Sequence, residues 1–289
     1  MSTARWLFAA SFVAAVVVTA SPSISTAQTA PAQTAPTQTT ASLTDGSALV
    51  DSDAWDAIRY DVIGDVELLD GAGLYALEAP FRAEDAATVP IRFTQALGAP
   101  DVRRLILVID ENPAPVVGDF AFGAAMRPLD IETRVRVNAY SNVRAIVEAE
   151  DGKHYMTGRF VRASGGCSAP AAKDAVAALE AIGEMRARRY DEAPRQSGVR
   201  REAQVMLRHP NYSGLQRDQV TQLFVPAHFI DTLEVRAGDE VLFSMIGGIS
   251  ISEDPTFRFH YTDTGDGPLE IRATDTKGAV FERRFHLGT

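Results

Sequence analysis

In the last part of this chain the apolar residues fall on every second position. Leu233 and Val235, then Val241, Phe243 and Met245, then Phe257, Phe259 and Tyr261, then Leu269 and Ile271 all alternate with polar residues. A strand points successive side chains to opposite faces, so this period builds sheets with one face buried and one face wet, and it fits no helix. Turn signals such as AGDE, TGDGP and DTKG separate the runs, and Phe281 and Phe285 belong to a final strand. Short strands with regular turns over about ninety residues point to a β-sandwich covering 199–289.

A second β-rich block precedes it. ATVPIRF (87–93), VRRLILVID (102–110), ETRVRVNAY (132–140) and VRAIVEAEDGKHYMTGRFVRA (143–163) read as strands, with a hairpin turn at Asp151-Gly152. Val135 and Val137 alternate with Arg134 and Arg136, which places the arginines on the outward face of a half-buried sheet. The stretch 50–64 reads as a short helix that packs Trp55 and Tyr60 on the sheet. The fold class is therefore all-β, with two sandwiches, 45–167 and 199–289, in one chain.

Between them, SAPAAKDAVAALEAIGEMRARRY (168–190) is alanine-rich and helical by propensity, with Ser168 placed to cap it and Pro170 in its first turn. DEAPRQSG (191–198) reads as a linker, which makes 168–198 a helical connection. At the other end, residues 1–27 combine Arg5, a short apolar run from Trp6 to Val18 and small residues, the pattern of a cleaved secretory signal peptide. Residues 28–44 are Pro/Thr/Gln/Ala low complexity and read as a disordered spacer. An exported, periplasmic protein follows. Its formal charge of −10 argues against nucleic acid and against an anionic membrane surface as partners.

The chain has one cysteine, Cys167, in RASGGCSAPAAKD (162–174). In an oxidising compartment structural cysteines come in pairs, so a lone one is either packing or a sulfur that is used. Gly165 and Gly166 remove side chains beside it and loosen the backbone, as a flexible arm would need. With a helix starting at Ser168, Cys167 would sit at the positive end of a helix dipole. Arg159, Arg162 and Lys173 would add to the effect, giving an exposed thiol that ionises below the usual ~8.5.

Little else offers chemistry. The five histidines, 154, 209, 228, 260 and 286, are scattered without ligand spacing, and there is no CxxC, so no metal site is expected. His260 between Phe259 and Tyr261 reads as solvent-facing, and His228 in VPAHFID as structural or turn-capping. Asp110 and Glu111 in DENP, and Glu253 and Asp254 in SEDP, are explained by turn chemistry. With no nucleophile–base pair, no P-loop and no dinucleotide fingerprint, no catalytic residue and no cofactor are expected, and the chain reads as a non-enzyme.

Here the residues resemble a known family. DENPAP, ETRVRV and DGKHYMTGRFVRASGGC are similar to SoxY, and RHPNYSG, VPAHFID, ISISEDPTFRFHY and ATDTKGAVFERRF to SoxZ, the two subunits of the carrier in the thiosulfate-oxidising Sox system. The resemblance is particularly close to single-chain SoxYZ-like carriers associated with quinoprotein dehydrogenases. The resemblance implies immunoglobulin-like β-sandwiches packed on each other, no bound cofactor, and a swinging cysteine that bears sulfur intermediates for periplasmic partner enzymes. Only Cys167 with Gly165 and Gly166 carries over, and the arm departs from the SoxY pattern: GGCSAP continues into the chain where SoxY ends in GGCGG. An accessory module that docks on a quinoprotein dehydrogenase with Cys167 incidental is the alternative, and a thiol oxidoreductase is a weaker one for want of a second cysteine. The cargo, the partners, the reach of a doubly tethered arm and a dimer through Cys167 are left open by the sequence.

Overall fold

The computed structural model describes residues 48–170, 175–190, 198–263 and 267–286. The expected signal peptide (1–27), the spacer at 28–44, and 191–197 of the linker lie outside the described residues. Among the described residues no helix is long and apolar enough to cross a membrane.

Among the described residues, two α-helices and fifteen strands follow in chain order: α1 Asp53–Ile63, β1 Leu68–Asp70, β2 Tyr75–Glu78, β3 Val89–Gln95, β4 Val102–Ile109, β5 Val116–Phe122, β6 Asp130–Val135, β7 Ser141–Ala149, β8 His154–Val161, α2 Ala175–Glu180, β9 Met185–Arg189, β10 Val199–Leu207, β11 Ile230–Ala237, β12 Glu240–Gly247, β13 Thr256–Asp263, β14 Leu269–Asp275 and β15 Val280–Phe285. They form two facing sheets. One runs β1-β8-β7-β4-β5-β12-β11-β14-β15 and the other β2-β3-β6-β13-β10-β9. The chain is all-β, with one immunoglobulin-like sandwich from β1–β8 and a second from β9–β15.

Both sheets are continuous from one sandwich into the other. β5 pairs antiparallel with β12, from Gly118↔Gly247 to Phe122↔Phe243, and β6 pairs with β13 at Ile131↔Phe259 and Glu132↔Arg258. The two sandwiches therefore share one core. Phe120 packs edge-on against Phe257, and Phe243 against Phe259. Each such side chain, once buried, contributes about 1.5–3 kcal/mol. The strand alternation explains the arrangement: β13 and β14 bury every second residue, the half-buried pattern read in the sequence.

β4 and β7 are instead buried almost throughout, because a second layer covers their outer face. That layer is α1. Ser52 caps it by accepting from the Trp55 amide at 3.1 Å, and Trp55 packs on Ile106, Val108 and Ile146. Tyr60, expected on the sheet, is 72% exposed: it lies on the far side of the helix from the residues that bury Trp55.

The connecting helix also differs from expectation. α2 covers only Ala175–Glu180, and Met185–Arg189 is a strand that pairs antiparallel with β10. Met185 and Ala187 turn inward while Arg186 and Arg188 face out, a period of two that the helix propensity of the surrounding alanines obscures. The latter part of the expected 168–198 connection thus belongs to the second sandwich.

Candidate functional site

Cys167 lies at the seam between the two sandwiches. After β8 the chain pairs once more with the first sandwich, the Arg162 amide donating to Phe81 O at 2.7 Å. It then crosses the strand extension that follows β6. The Gly165 amide donates to Asn138 O at 2.8 Å and the Gly166 amide to Val137 O at 3.1 Å. The Ser168 amide closes a turn on Gly165 O at 3.2 Å. The glycines are needed for this path. Gly165 has φ of +80°, a conformation side chains rarely adopt. A Cβ on Gly166 would stand 2.1 Å from the Ala86 carbonyl oxygen and 2.7 Å from that of Val137, so no other residue fits beneath the arm.

The second sandwich closes the turn from the other side. Ser213 donates its hydroxyl to the Cys167 carbonyl oxygen and is itself held, its amide donating to Gln216 Oε1 at 2.9 Å. Cys167 is 0% exposed. Burial pushes its thiol up to about 11, against the opposing pull of the Arg136 guanidinium. The exposed, readily ionised thiol expected from the sequence is therefore corrected in this conformation. No helix starts at Ser168, whose hydroxyl bonds Gly165 O at 3.3 Å, and the first described residue of α2 is Ala175. Arg159 donates to Leu77 O, and Arg162 lies over the Phe81 ring at 4.6 Å, so both are engaged elsewhere. Lys173 lies outside the described residues.

The cation that does stand beside Cys167 is Arg136, which the alternation placed outward. It is 1% exposed. β6 ends at Val135, and the chain beyond it is held along both edges: the Arg136 amide donates to Ser250 O at 2.8 Å, and its carbonyl accepts from Asn112 Nδ2 at 2.7 Å. Its Nη1 donates to Gly166 O at 3.3 Å, the peptide oxygen next to Cys167. Its Nε and Nη2 find no hydrogen-bond acceptor among the described residues. Burial works against its charge, with Glu253, Cys167 and Asp85 acting the other way.

Beneath the Ser213 loop sits a polar cluster that the sequence spacing concealed. His228 Nε2 is 2.7 Å from Asp275 Oδ2 and 3.4 Å from His209 Nε2, and His209 Nε2 is 3.6 Å from Asp275 Oδ2. These three donor atoms lie close enough to hold a metal ion, although 47 residues separate His228 from Asp275 in the chain. The expectation that the histidines are scattered is thus corrected for this pair, while the structural reading of His228 agrees with its hydrogen bond. Burial, then His228, lowers the His209 imidazole to about 4, which keeps it neutral. Burial works to raise the Asp275 carboxyl, but hydrogen bonds from His228 and from the Ala279 and Lys277 amides together outweigh it, and its net shift is downward. Asn211 joins the cluster to the seam: its Oδ1 lies 2.8 Å from His209 Nδ1, and its Nδ2 donates to Ser252 O at 3.0 Å. The cluster thus anchors the loop that holds the Cys167 turn.

The other carboxylates read as turn residues divide. Asp254, with φ of +47°, accepts from the His209 amide at 3.1 Å and keeps a turn role. Asp110 is buried and takes both Arg144 Nε at 2.8 Å and Arg144 Nη2 at 2.8 Å, an ion pair rather than turn chemistry alone. His260, read as solvent-facing, is only half-buried, with Nδ1 3.1 Å from Asp130 Oδ2.

Comparison with known proteins bears on this seam. The family model described as sulfur oxidation protein SoxY matches residues 59–167, and that described as sulphur oxidation protein SoxZ matches residues 188–286. No curated protein matches. Among solved structures, the sulfur carrier protein SoxY from Chlorobium limicola f thiosulfatophilum is 24% identical with a TM-score of 0.32, over 38% of this chain and 94% of that one. A superoxide reductase (neelaredoxin) from Ignicoccus hospitalis is 14% identical with a TM-score of 0.28, over 30% of this chain and 77% of that one.

Proposed function

The chain belongs to the fused SoxY/SoxZ family, and from that premise we propose that it is a periplasmic, non-enzymatic carrier that holds a sulfur-containing intermediate covalently on Cys167 and presents it to partner enzymes. The observation that carries this reading is where the SoxY match stops. It ends on Cys167, the only cysteine, directly after Gly165-Gly166, and the SoxZ match resumes at residue 188. The arm therefore stands at the join of the two matched domains.

Loading thiosulfate onto the thiol forms a sulfur–sulfur bond and releases one proton and two electrons. The electrons go to a partner redox enzyme, so the carrier needs a nucleophilic sulfur and no cofactor of its own. The buried thiol gives this cycle two states. In the docked state described here Cys167 is neutral and shielded. Loading and delivery take place with the arm lifted from the seam, where the thiol regains an ordinary pKa. The docked turn is held by a few main-chain hydrogen bonds, the Ser213 contact and one bond from Arg136 to Gly166 O, each worth about 1 kcal/mol, so lifting it is within thermal reach.

Complete burial of the sulfur also favours a second reading, an accessory module that docks on a quinoprotein dehydrogenase with Cys167 as packing. Cys167→Ser separates the two. In the carrier, thiosulfate-dependent electron flow in the host's periplasmic extract is abolished by this substitution. In the accessory module it is retained together with partner binding.

A further inference from the structure

Arg136 is an anomaly in the docked state. A guanidinium is rarely this deeply buried without a paired carboxylate, because an unpaired buried charge is costly. Here Nε and Nη2 have no acceptor among the described residues, and the one contact that is made, Nη1 to Gly166 O at 3.3 Å, goes to a neutral carbonyl. Asp85 and Glu253 act on the guanidinium through space, yet neither accepts a hydrogen bond from Nε or Nη2. Arg136 is also fixed in place: its amide is tied to Ser250 and its carbonyl to Asn112, one residue from each sandwich. The group beside it is Cys167, a neutral thiol that supplies no counter-charge.

We propose that Arg136 is the anion receptor of the docked arm: its free guanidinium edge binds a sulfonate carried on Cys167, so that the loaded arm docks more firmly than the empty one. The inference rests on the carrier reading and adds to it the residue of this chain that recognises the anionic oxygen end of such an adduct. A planar guanidinium presents parallel donors that match two oxygens of such a group, and a hydrogen bond to an ion is about twice as strong as a neutral one. An uncharged adduct of similar size gains nothing from Arg136 and is held only by the contacts that hold the bare arm.

The test installs both kinds of adduct chemically on the full chain. Tetrathionate reacts with the Cys167 thiol to give the S–S–SO3⁻ adduct, releasing thiosulfate and a proton. Methyl methanethiosulfonate gives the neutral S–S–CH3 adduct, releasing methanesulfinic acid. The rate at which a small thiol reductant removes each adduct is then measured in the wild-type protein and in Arg136→Gln. The expected result is a rise of about tenfold or more for the sulfonate adduct in Arg136→Gln, as one ionic hydrogen-bonded contact implies, with less than about a threefold change for the methyl adduct. An equal change for both adducts overturns the proposal.

The wild-type protein alone gives a second reading if Arg136→Gln fails to fold. Its sulfonate adduct is expected to melt several degrees above its methyl adduct; an equal or lower melting temperature overturns the proposal. Because the adducts are installed chemically, this outcome is independent of whether the native protein carries one. A true carrier that holds its cargo elsewhere passes the Cys167→Ser test and fails this one.

Discussion

The Ser213 hydroxyl, from the second sandwich, donates to the main-chain carbonyl of Cys167, at the end of the first. This contact crosses the seam and ties the matched SoxZ part to the arm of the SoxY part. It turns the position of the cysteine into a property of both domains.

Removing that contact should loosen the arm without unfolding the protein. Ser213→Ala leaves the Cys167 carbonyl without this donor, at a cost near 1 kcal/mol, about a fivefold shift in the docking equilibrium. Alkylation of Cys167 by iodoacetamide should speed up by about that factor while the melting curve moves little. An unchanged rate would mean that Ser213 does not hold the arm.

The pH dependence of the same reaction follows from burial. The folded thiol sits at about 11, above its ordinary value, so docking is favoured while the thiol is neutral. That stabilisation is complete below the ordinary thiol pKa and is lost as pH rises through about 11. Near neutrality the docked thiolate is about a hundredfold scarcer than in a thiol at the ordinary value of 9.0. The alkylation rate should therefore be low at neutral pH and still climbing above pH ~9. A plateau reached below the ordinary thiol value would contradict the buried, neutral thiol.

Acid should act on the other side of the seam. The His209 imidazole is lowered to about 4, below its ordinary ~6.5, so the stability it contributes is present above the ordinary value and is lost as pH falls toward 4. The full linkage is about 3 kcal/mol. Proton-detected titration by NMR should find His209 neutral at pH ~5.5 in the folded protein. A midpoint near the ordinary value would show that the ring is not buried against His228 as described.

The first sandwich rests on the buried pair of Asp110 and Arg144, with Trp55 stacked on the guanidinium 4.8 Å from the ring centre. Asp110→Ala leaves Arg144 buried without its partner. It should cost about 3–5 kcal/mol in urea unfolding. A loss below about 1 kcal/mol would mean that Arg144 finds water instead.

Much of this molecule was legible in the sequence because its cues are local. The alternation of Phe257, Phe259 and Tyr261 gave β13, and Asp151-Gly152 gave the hairpin between β7 and β8. The strand at Met185–Arg189 was hidden because its alternation is carried by a methionine and an alanine among helix formers. The seam was hidden for a deeper reason. Period-two reading assigns Arg136 to solvent, but Asn112, Gly166 and Ser250, all distant in the chain, meet it at the seam, where it is 1% exposed. His209, His228 and Asp275 meet for the same reason, through strands that are distant in the chain. The cysteine itself could be singled out by being alone, but its burial depends on Ala86, Val137 and Ser213, none of them close to it in sequence.

The most direct measurement is the intact mass of the protein isolated from its native host without reductant, taken again after a thiol reductant. The carrier account predicts a mass above that of the bare chain, shifted by a sulfur-containing group that the reductant removes and that peptide mapping places on Cys167. A bare thiol that stays unmodified when thiosulfate, sulfide and an extract of the host are supplied would contradict it.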